Sequence, residues 1–311
     1  MKVVDHIVKG SRKGIQIAAR VYSPSKALEE GKKPINLLFA HANGFHKELW
    51  EPLIRRVEKL FEKGNSKVSL NKIVAFDAVH QGDSAKLNKG KLGYATEKFE
   101  WHEYARDILS VLDQFGLRGV DTIGIGHSYG GSSTLLSETL RPLSFMGIFC
   151  VDPVLSRDEE KFDSKSKFIM ATINRKNGWK TKEEFIKYAR SKPVYADWTE
   201  ESLNIFFDHG TFKCTETQLY KLKADPIFEA ASYAGGISGV KNMEKSRHLI
   251  LCPVEIVYGE HSNVLTKSRM ETFASELPHI KITQFKNVGH LMLMEDPDPI
   301  SVSLYNFINS F

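Results

Sequence analysis

The chain has 311 residues, enough to bury a large core as one domain or two. Its 41% hydrophobic and 26% charged residues are the composition of a globular protein and exclude a disordered chain. The net charge of +5 is spread over interspersed signs, with only short basic pairs such as Lys32-Lys33 and Arg55-Arg56, so a nucleic-acid-binding stripe is not expected.

Residues 5–22 alternate apolar and polar side chains around Gly10 and Gly14 and read as an antiparallel hairpin. A charged loop over 23–34 leads to the apolar strand 35–40, and His41-Ala42-Asn43-Gly44-Phe45 follows as a Gly-containing loop. Leu49, Leu53, Val57, Leu60 and Phe61 recur at helical spacing and predict a helix over 47–63. Residues 73–76 form a short buried strand, and 85–93 read as a polar loop. Over 99–115, Tyr104, Ile108, Leu109, Val111 and Leu112 mark the inward face of a long amphipathic helix. The alternation of strands and helices predicts a mostly parallel sheet with helices on both faces.

The next apolar run, 120–125, ends in Gly126-His127-Ser128-Tyr129-Gly130, and a small-residue helix begins at once with Gly131-Ser132-Ser133. Strand, G-x-S-x-G, helix is the setting of a nucleophile elbow. The turn is so sharp that the serine takes a strained backbone, and the glycines remove side chains that would collide. The serine oxygen is then presented at a helix N-terminus, where free N–H groups and the helix dipole favour negative charge.

A nucleophilic serine needs a base, and the base needs an orienting acid. On this elbow the chain order is serine, acid, histidine. The continuous apolar run 146–151 reads as a buried parallel strand and ends in Asp152-Pro153, which places a carboxylate on the same sheet edge as Ser128. The commoner position for the acid, after the strand 254–258, offers Glu260 and no aspartate. Asp152 is preferred, with Glu260 the alternative and Asp158 a third candidate. His290, in a loop after the strand 280–285, is the expected base. His261 and His279 are its rivals, and His279 precedes its strand and so falls at the opposite sheet edge. A helix from about 299 closes the chain.

Two backbone N–H groups should meet the oxyanion of an acyl transfer. Tyr129, after the serine, supplies one. Asn43, in the loop after an early core strand, is expected to supply the other, with Ala42 and Gly44 as alternatives. Between 154 and 249 the rhythm changes. Strand candidates disappear, and helices are predicted over 159–175, 182–190, 199–209 and 217–222, separated by Pro193, Gly210 and Pro226. Trp179, Tyr195, Trp198, Phe206, Phe207, Phe212 and Phe228 add aromatic bulk, part of it expected to line an apolar pocket.

Four segments, the His41 loop, Asp77-Ala78-Val79-His80-Gln81-Gly82-Asp83-Ser84, the elbow, and Val288-Gly289-His290, resemble those of the α/β-hydrolases. The second resembles that superfamily's D-x-R-G-H-G-x-S turn, with Val79, His80 and Gln81 in place of Arg-Gly-His. The resemblance implies an α/β fold with a core of 1–153 and 250–311 and a helical cap of 154–249, inserted after strand six. A narrower similarity, carried by residues 42–50, 151–153 and Arg175-Lys176-Asn177-Gly178-Trp179 with Lys182-Glu183-Glu184, is to a fungal group of peroxisomal lipases and toxin-pathway or polyketide-pathway hydrolases, some acting on acyl-CoA thioesters. In that group the acid follows strand six, which matches Asp152.

The expected activity is hydrolysis of a lipophilic carboxylic ester or thioester through an acyl-serine, of the lipase, esterase or thioesterase kind. The expected partner is a small-molecule substrate, and this chemistry needs no metal or organic cofactor. Other readings are a lyase or acyltransferase on the same residues, or a receptor that captures a ligand under its cap. No apolar run approaches the ~20 residues of a membrane span, and charge interrupts the first six residues, so neither a span nor a secretory leader is expected. The three cysteines include Cys150 and Cys252, in or beside apolar strands, which suits a reducing, cytoplasmic setting. The final Asn309-Ser310-Phe311 is not the S-K-L type of peroxisomal address, so the fungal group's compartment is not carried over.

Overall fold

Apolar runs without alternation become the middle of one sheet. The computed structural model describes residues 1–93, 99–117, 119–155, 167–265, 267–275, 277 and 279–311. Its strands are β1 (Lys2–Lys9), β2 (Gln16–Ser23), β3 (Lys33–Ala40), β4 (Val68–Phe76), β5 (Thr122–His127), β6 (Gly147–Val151), β7 (Thr211–Lys213), β8 (Tyr220–Leu222), β9 (Val254–Gly259) and β10 (Ile280–Phe285). Eight of them form the sheet, in the order β1-β2-β4-β3-β5-β6-β9-β10. β1 and β2 pair antiparallel, and β2 joins β4 antiparallel. Every pairing from β4 to β10 is parallel.

The helices are α1 (Glu51–Lys63), α2 (Gly82–Leu87), α3 (Trp101–Gln114), α4 (Tyr129–Leu140), α5 (Lys167–Ile173), α6 (Lys182–Arg190), α7 (Glu200–Gly210), α8 (Pro226–Ala234), α9 (Gly236–Ser246), α10 (Lys267–Ala274), α11 (Met292–Glu295) and α12 (Pro297–Ile308). The two sheet faces bury separate clusters. Leu38 and Ala40 of β3 face Ile108, Leu112 and Leu135 of α3 and α4. Ile35, Leu37 and Phe39 face Leu53 and Val57 of α1 and Leu304 of α12. Parallel strands covered on both faces are buried throughout, which is why β5 and β6 show no exposed position. Among the described residues, no helix is long and apolar enough to cross a membrane.

Several elements differ from the sequence expectation, among them α8, α9 and α10, where no helix was expected. β4 begins at Val68 rather than near Ile73. Its register against β3 jumps at Asn71 and Lys72, a bulge whose polar residues interrupt the apolar run. The short helix α2 stands where a loop was expected. The segment between β6 and β9 is not all helical, because β7 and β8 pair antiparallel there and Tyr220–Leu222 is strand, not the end of a helix. Strands of three residues are too short to show alternation. Of the helix expected over 159–175, the described part is α5. The helices α6 and α7 start at threonine caps, Thr181 accepting from the Glu184 N–H and Thr199 from the Ser202 N–H, and Asp225 with Pro226 starts α8.

Candidate active site

β5 ends at His127 and α4 begins at Tyr129, so Ser128 alone makes the turn between them. Its backbone is left-handed, with φ 53° and ψ −117°. A side chain on Gly130 would strike the Ala40 carbonyl, and one on Gly126 would strike the Gly130 carbonyl. The strain is held by packing that only glycine permits on either side. The Oγ of Ser128 lies 2.8 Å from Nε2 of His290, in the loop after β10.

Asp152 ends β6 fully buried and, like Ser128, has a positive φ, 44°. Its Oδ1 lies 3.1 Å from Nδ1 of His290, at ion-pair distance but off the line of a straight hydrogen bond. Oδ1 also accepts from the Ser262 hydroxyl at 2.9 Å, and Oδ2 accepts from the Gly259 N–H at 3.2 Å. An imidazole between a hydroxyl and a buried carboxylate can take the hydroxyl proton and have its charge stabilised from behind.

Glu260 is not part of this chain of contacts. It is exposed, accepts from the Asn287 N–H and pairs loosely with His261. His279 stands just before β10, at the opposite end of the strand from His290. Asp158 lies outside the described residues.

Further residues hold the site, and the sequence reading did not single them out. The His127 ring lies with Nε2 2.9 Å from the His290 carbonyl, to which it donates. Burial pushes the His127 pKa down to about 3, so at neutral pH the ring is neutral. The Glu295 carboxylate accepts from the Gly289 N–H at 2.7 Å and fixes the residue before His290. Burial raises the Glu295 pKa, against the pull of that N–H. Ser132 of α4 donates to the Val154 carbonyl at 2.8 Å and accepts from the Val154 N–H at 2.9 Å, which ties the elbow helix to the segment after Asp152. His127 was visible inside the motif. Glu295 and Ser262 carried no signal, because their partners come from turns whose shape the sequence does not give.

Asn43 and Tyr129 line the same cavity as the serine. The Asn43 side chain is clamped at both ends: Oδ1 accepts from Gln81 Nε2, and Nδ2 donates to the Glu229 carbonyl at 3.0 Å. As the first residue of α4, Tyr129 has an N–H with no carbonyl one turn earlier in the helix. Its ring stacks on Tyr104 at 4.5 Å and meets the edge of Trp101 at 5.0 Å. His41 braces the Asn43 loop from below. Its Nε2 accepts from the Ala78 N–H at 3.0 Å, and its Nδ1 donates to the Ala42 carbonyl at 2.8 Å.

Ser128, His290 and Asn43 open onto a cavity of about 820 Å³ between the sheet edge and the insertion. Of the seven insertion aromatics, Trp179, Tyr195 and Phe206 line it. Trp198 and Phe207 are buried, Phe228 packs against Phe99, and Phe212 is exposed. A mainly apolar cavity with a few convergent polar groups suits a small ligand with an apolar body. One charged pair stands in its wall: Arg175 lies 2.8 Å from the Glu229 carboxylate.

The fold agrees with what the chain resembles among known proteins. The profile of the alpha/beta hydrolase family matches residues 37–301. The peroxisomal membrane protein LPX1 of Saccharomyces cerevisiae is 23% identical over 300 residues, covering 89% of this chain and 76% of that protein. The type I acyl-CoA thioesterase mpaH of Penicillium brevicompactum is 26% identical over 61% of this chain, a match that spans only 46% of its own length. Among solved structures, the peroxisomal alpha-beta-hydrolase Lpx1 of Saccharomyces cerevisiae superposes with a TM-score of 0.82 at 19% identity, covering 100% of this chain and 89% of that one. The thioesterase domain from the curacin biosynthetic pathway superposes with a TM-score of 0.66 at 16% identity, over 99% of both chains. The family profile spans most of the chain and takes in Ser128, Asp152 and His290, and this protein is a member of the alpha/beta hydrolase family.

Proposed function

We propose that this protein is a serine hydrolase that cleaves a carboxylic ester or thioester of a lipophilic acyl group. Ser128 Oγ attacks the carbonyl carbon while His290 Nε2 takes its proton. Asp152 holds the imidazole in the right tautomer and stabilises the imidazolium. The carbonyl oxygen gains a negative charge and meets the N–H groups of Asn43 and Tyr129, whose loss would cost on the order of 3–4 kcal/mol each. His290 returns the proton to the leaving alcohol or thiol. Water then attacks the acyl-serine with His290 again as base, releasing the acid and the free serine. In this reading residues 154–249 act as a cap over the acyl group.

The observation that carries the reading is the unbroken contact from Ser128 through His290 to the buried Asp152, opening onto an aromatic-lined cavity. The similarity to a protein named as an acyl-CoA thioesterase supports the thioester arm. The test is labelling with a fluorophosphonate, read by peptide mass spectrometry, followed by a panel of aryl esters, glycerides and acyl-CoAs of graded chain length. Label on Ser128 that disappears in His290→Ala is the expected result. A folded protein that takes no label and turns over none of the panel would remove the proposal.

A further inference from the structure

The wall of the cavity holds a charged pair that the proposed reaction does not use. Glu229 sits in the first turns of α8 and is 4% exposed. Arg175, after α5, reaches it with both ends of the guanidinium, at 2.8 Å and 2.5 Å. Burial works against the charge of each group, and each is the other's counter-ion. A pair removed from water in this way is poor evidence for stability, since well-packed apolar residues often do as well. Its location is more informative.

Glu229 meets the Asn43 turn twice. Its backbone carbonyl accepts from Asn43 Nδ2 at 3.0 Å. Its carboxylate occupies the space over Gly44 where a side chain would stand: Gly44 has φ +86°, and a Cβ there would lie 2.8 Å from Glu229 Oε1. Three residues further along α8, the Ser232 carbonyl accepts from Trp101 Nε1 at 2.9 Å, and Trp101 is the ring against Tyr129. One helix of the insertion therefore touches Asn43 directly and Tyr129 through Trp101, the two residues proposed above to supply the oxyanion N–H groups. At one of those contacts the helix is fixed by a buried ion pair.

We propose that Glu229, held by Arg175, is a positioning residue for the oxyanion turn: the pair seats α8 on Asn43 and Gly44, so that the N–H of Asn43 is aimed only when the insertion is docked. The proposal rests on the reading of Ser128 as nucleophile and deepens it. It links the insertion to the chemistry as well as to substrate binding.

The experiment uses an aryl ester that the wild-type protein turns over and a trifluoromethyl ketone of the same acyl chain, which forms a tetrahedral adduct with a serine. The variants are Arg175→Met/Glu229→Leu, which removes both charges together, and Asn43→Ala, which removes the side chain's bonds to the Glu229 carbonyl and to Gln81 and keeps the backbone N–H. The pair variant should fold with a near-wild-type urea midpoint, and Asn43→Ala should lower it only modestly through the partners left unpaired. Each should lose about a hundredfold in kcat and in ketone affinity, with KM within about twofold. The combined triple variant should lose no more than the worse of the two, because both act on one turn. A purely structural role would leave the ratio of ketone affinity to KM unchanged in both variants. If Asn43→Ala keeps wild-type kcat and ketone affinity, the proposal is overturned, whether or not the pair variant folds. A wild-type protein with neither label nor turnover would instead remove the underlying reading.

Discussion

His127 hands a hydrogen bond to the backbone carbonyl of His290, 2.9 Å away, with the two rings 5.4 Å apart. The residue before the proposed nucleophile thus fixes the loop that carries the proposed base. In His127→Phe the ring volume is largely kept and the donor is lost. Hydrolysis of an activated ester should fall by roughly tenfold or more through misplacement of His290. Stability in urea should fall by only about 1–3 kcal/mol for the partly buried carbonyl left unpaired. A variant with unaltered turnover would show that the His290 loop is held without this bond.

Asp152 and Glu260 can be separated directly. Asp152→Asn should lower kcat by roughly four orders of magnitude, since an amide cannot hold the productive imidazole tautomer. Glu260→Gln, at an exposed residue away from His290, should leave kcat within about twofold. The reverse pattern, measured on the same ester, would transfer the acid role to Glu260.

Acid should weaken the fold through its buried histidines. Burial pushes His80 from its ordinary 6.5 down to about 3, with His41 and Arg12 adding to the effect. Between those values the unfolded chain carries a proton that the folded chain refuses, so stability is lost as the pH falls from 6.5 towards 3. Urea unfolding at pH 7 and pH 4 should show the wild-type protein losing about 3 kcal/mol more than His80→Gln. Equal losses in the two proteins would mean that His80 is protonated in the folded state.

Lys47 is almost fully buried yet holds three carboxylates, Glu48 at 2.8 Å, Asp77 at 2.9 Å and Asp83 at 2.8 Å. Asp83 is itself bound by Lys223 of the insertion at 2.6 Å. Lys47→Met leaves Asp77 buried without its cation and Glu48 with only the Arg20 cation, at 3.5 Å, and should cost about 3–5 kcal/mol in urea unfolding. A cost under about 1 kcal/mol would place the ammonium among surface pairs in effect.

The parts of this molecule that could be read from the sequence are those where one local rule decides. β5 and β6 are buried on both faces and read as unbroken apolar runs, and the elbow glycines follow from a turn that tolerates no side chain. Asp152 was visible because a strand end fixes where a residue lies. The hairpin Thr211–Lys213 and Tyr220–Leu222 was not, being shorter than any period. The start of β4 was hidden by the polar bulge at Asn71 and Lys72. Glu229, Glu295 and Ser262 stayed out of reach for a different reason: their partners, the Asn43 side chain, the Gly289 N–H and the Asp152 carboxylate, are met only in the folded chain, and nothing in their local sequence marks the encounter.

β6 and β9 are neighbours in the sheet, although the 102 residues 152–253 lie between the end of one and the start of the other. The chain leaves one strand and returns on the next, across a gap of ~5 Å. A segment whose two ends nearly meet can grow, shrink or be exchanged without shifting the register of any strand. The sheet end that carries Ser128, Asp152 and His290 is therefore a fixed socket. On the proposed function the segment between Pro153 and Pro253 selects the acyl group, and chimeras joined at those two residues test this by their substrate range.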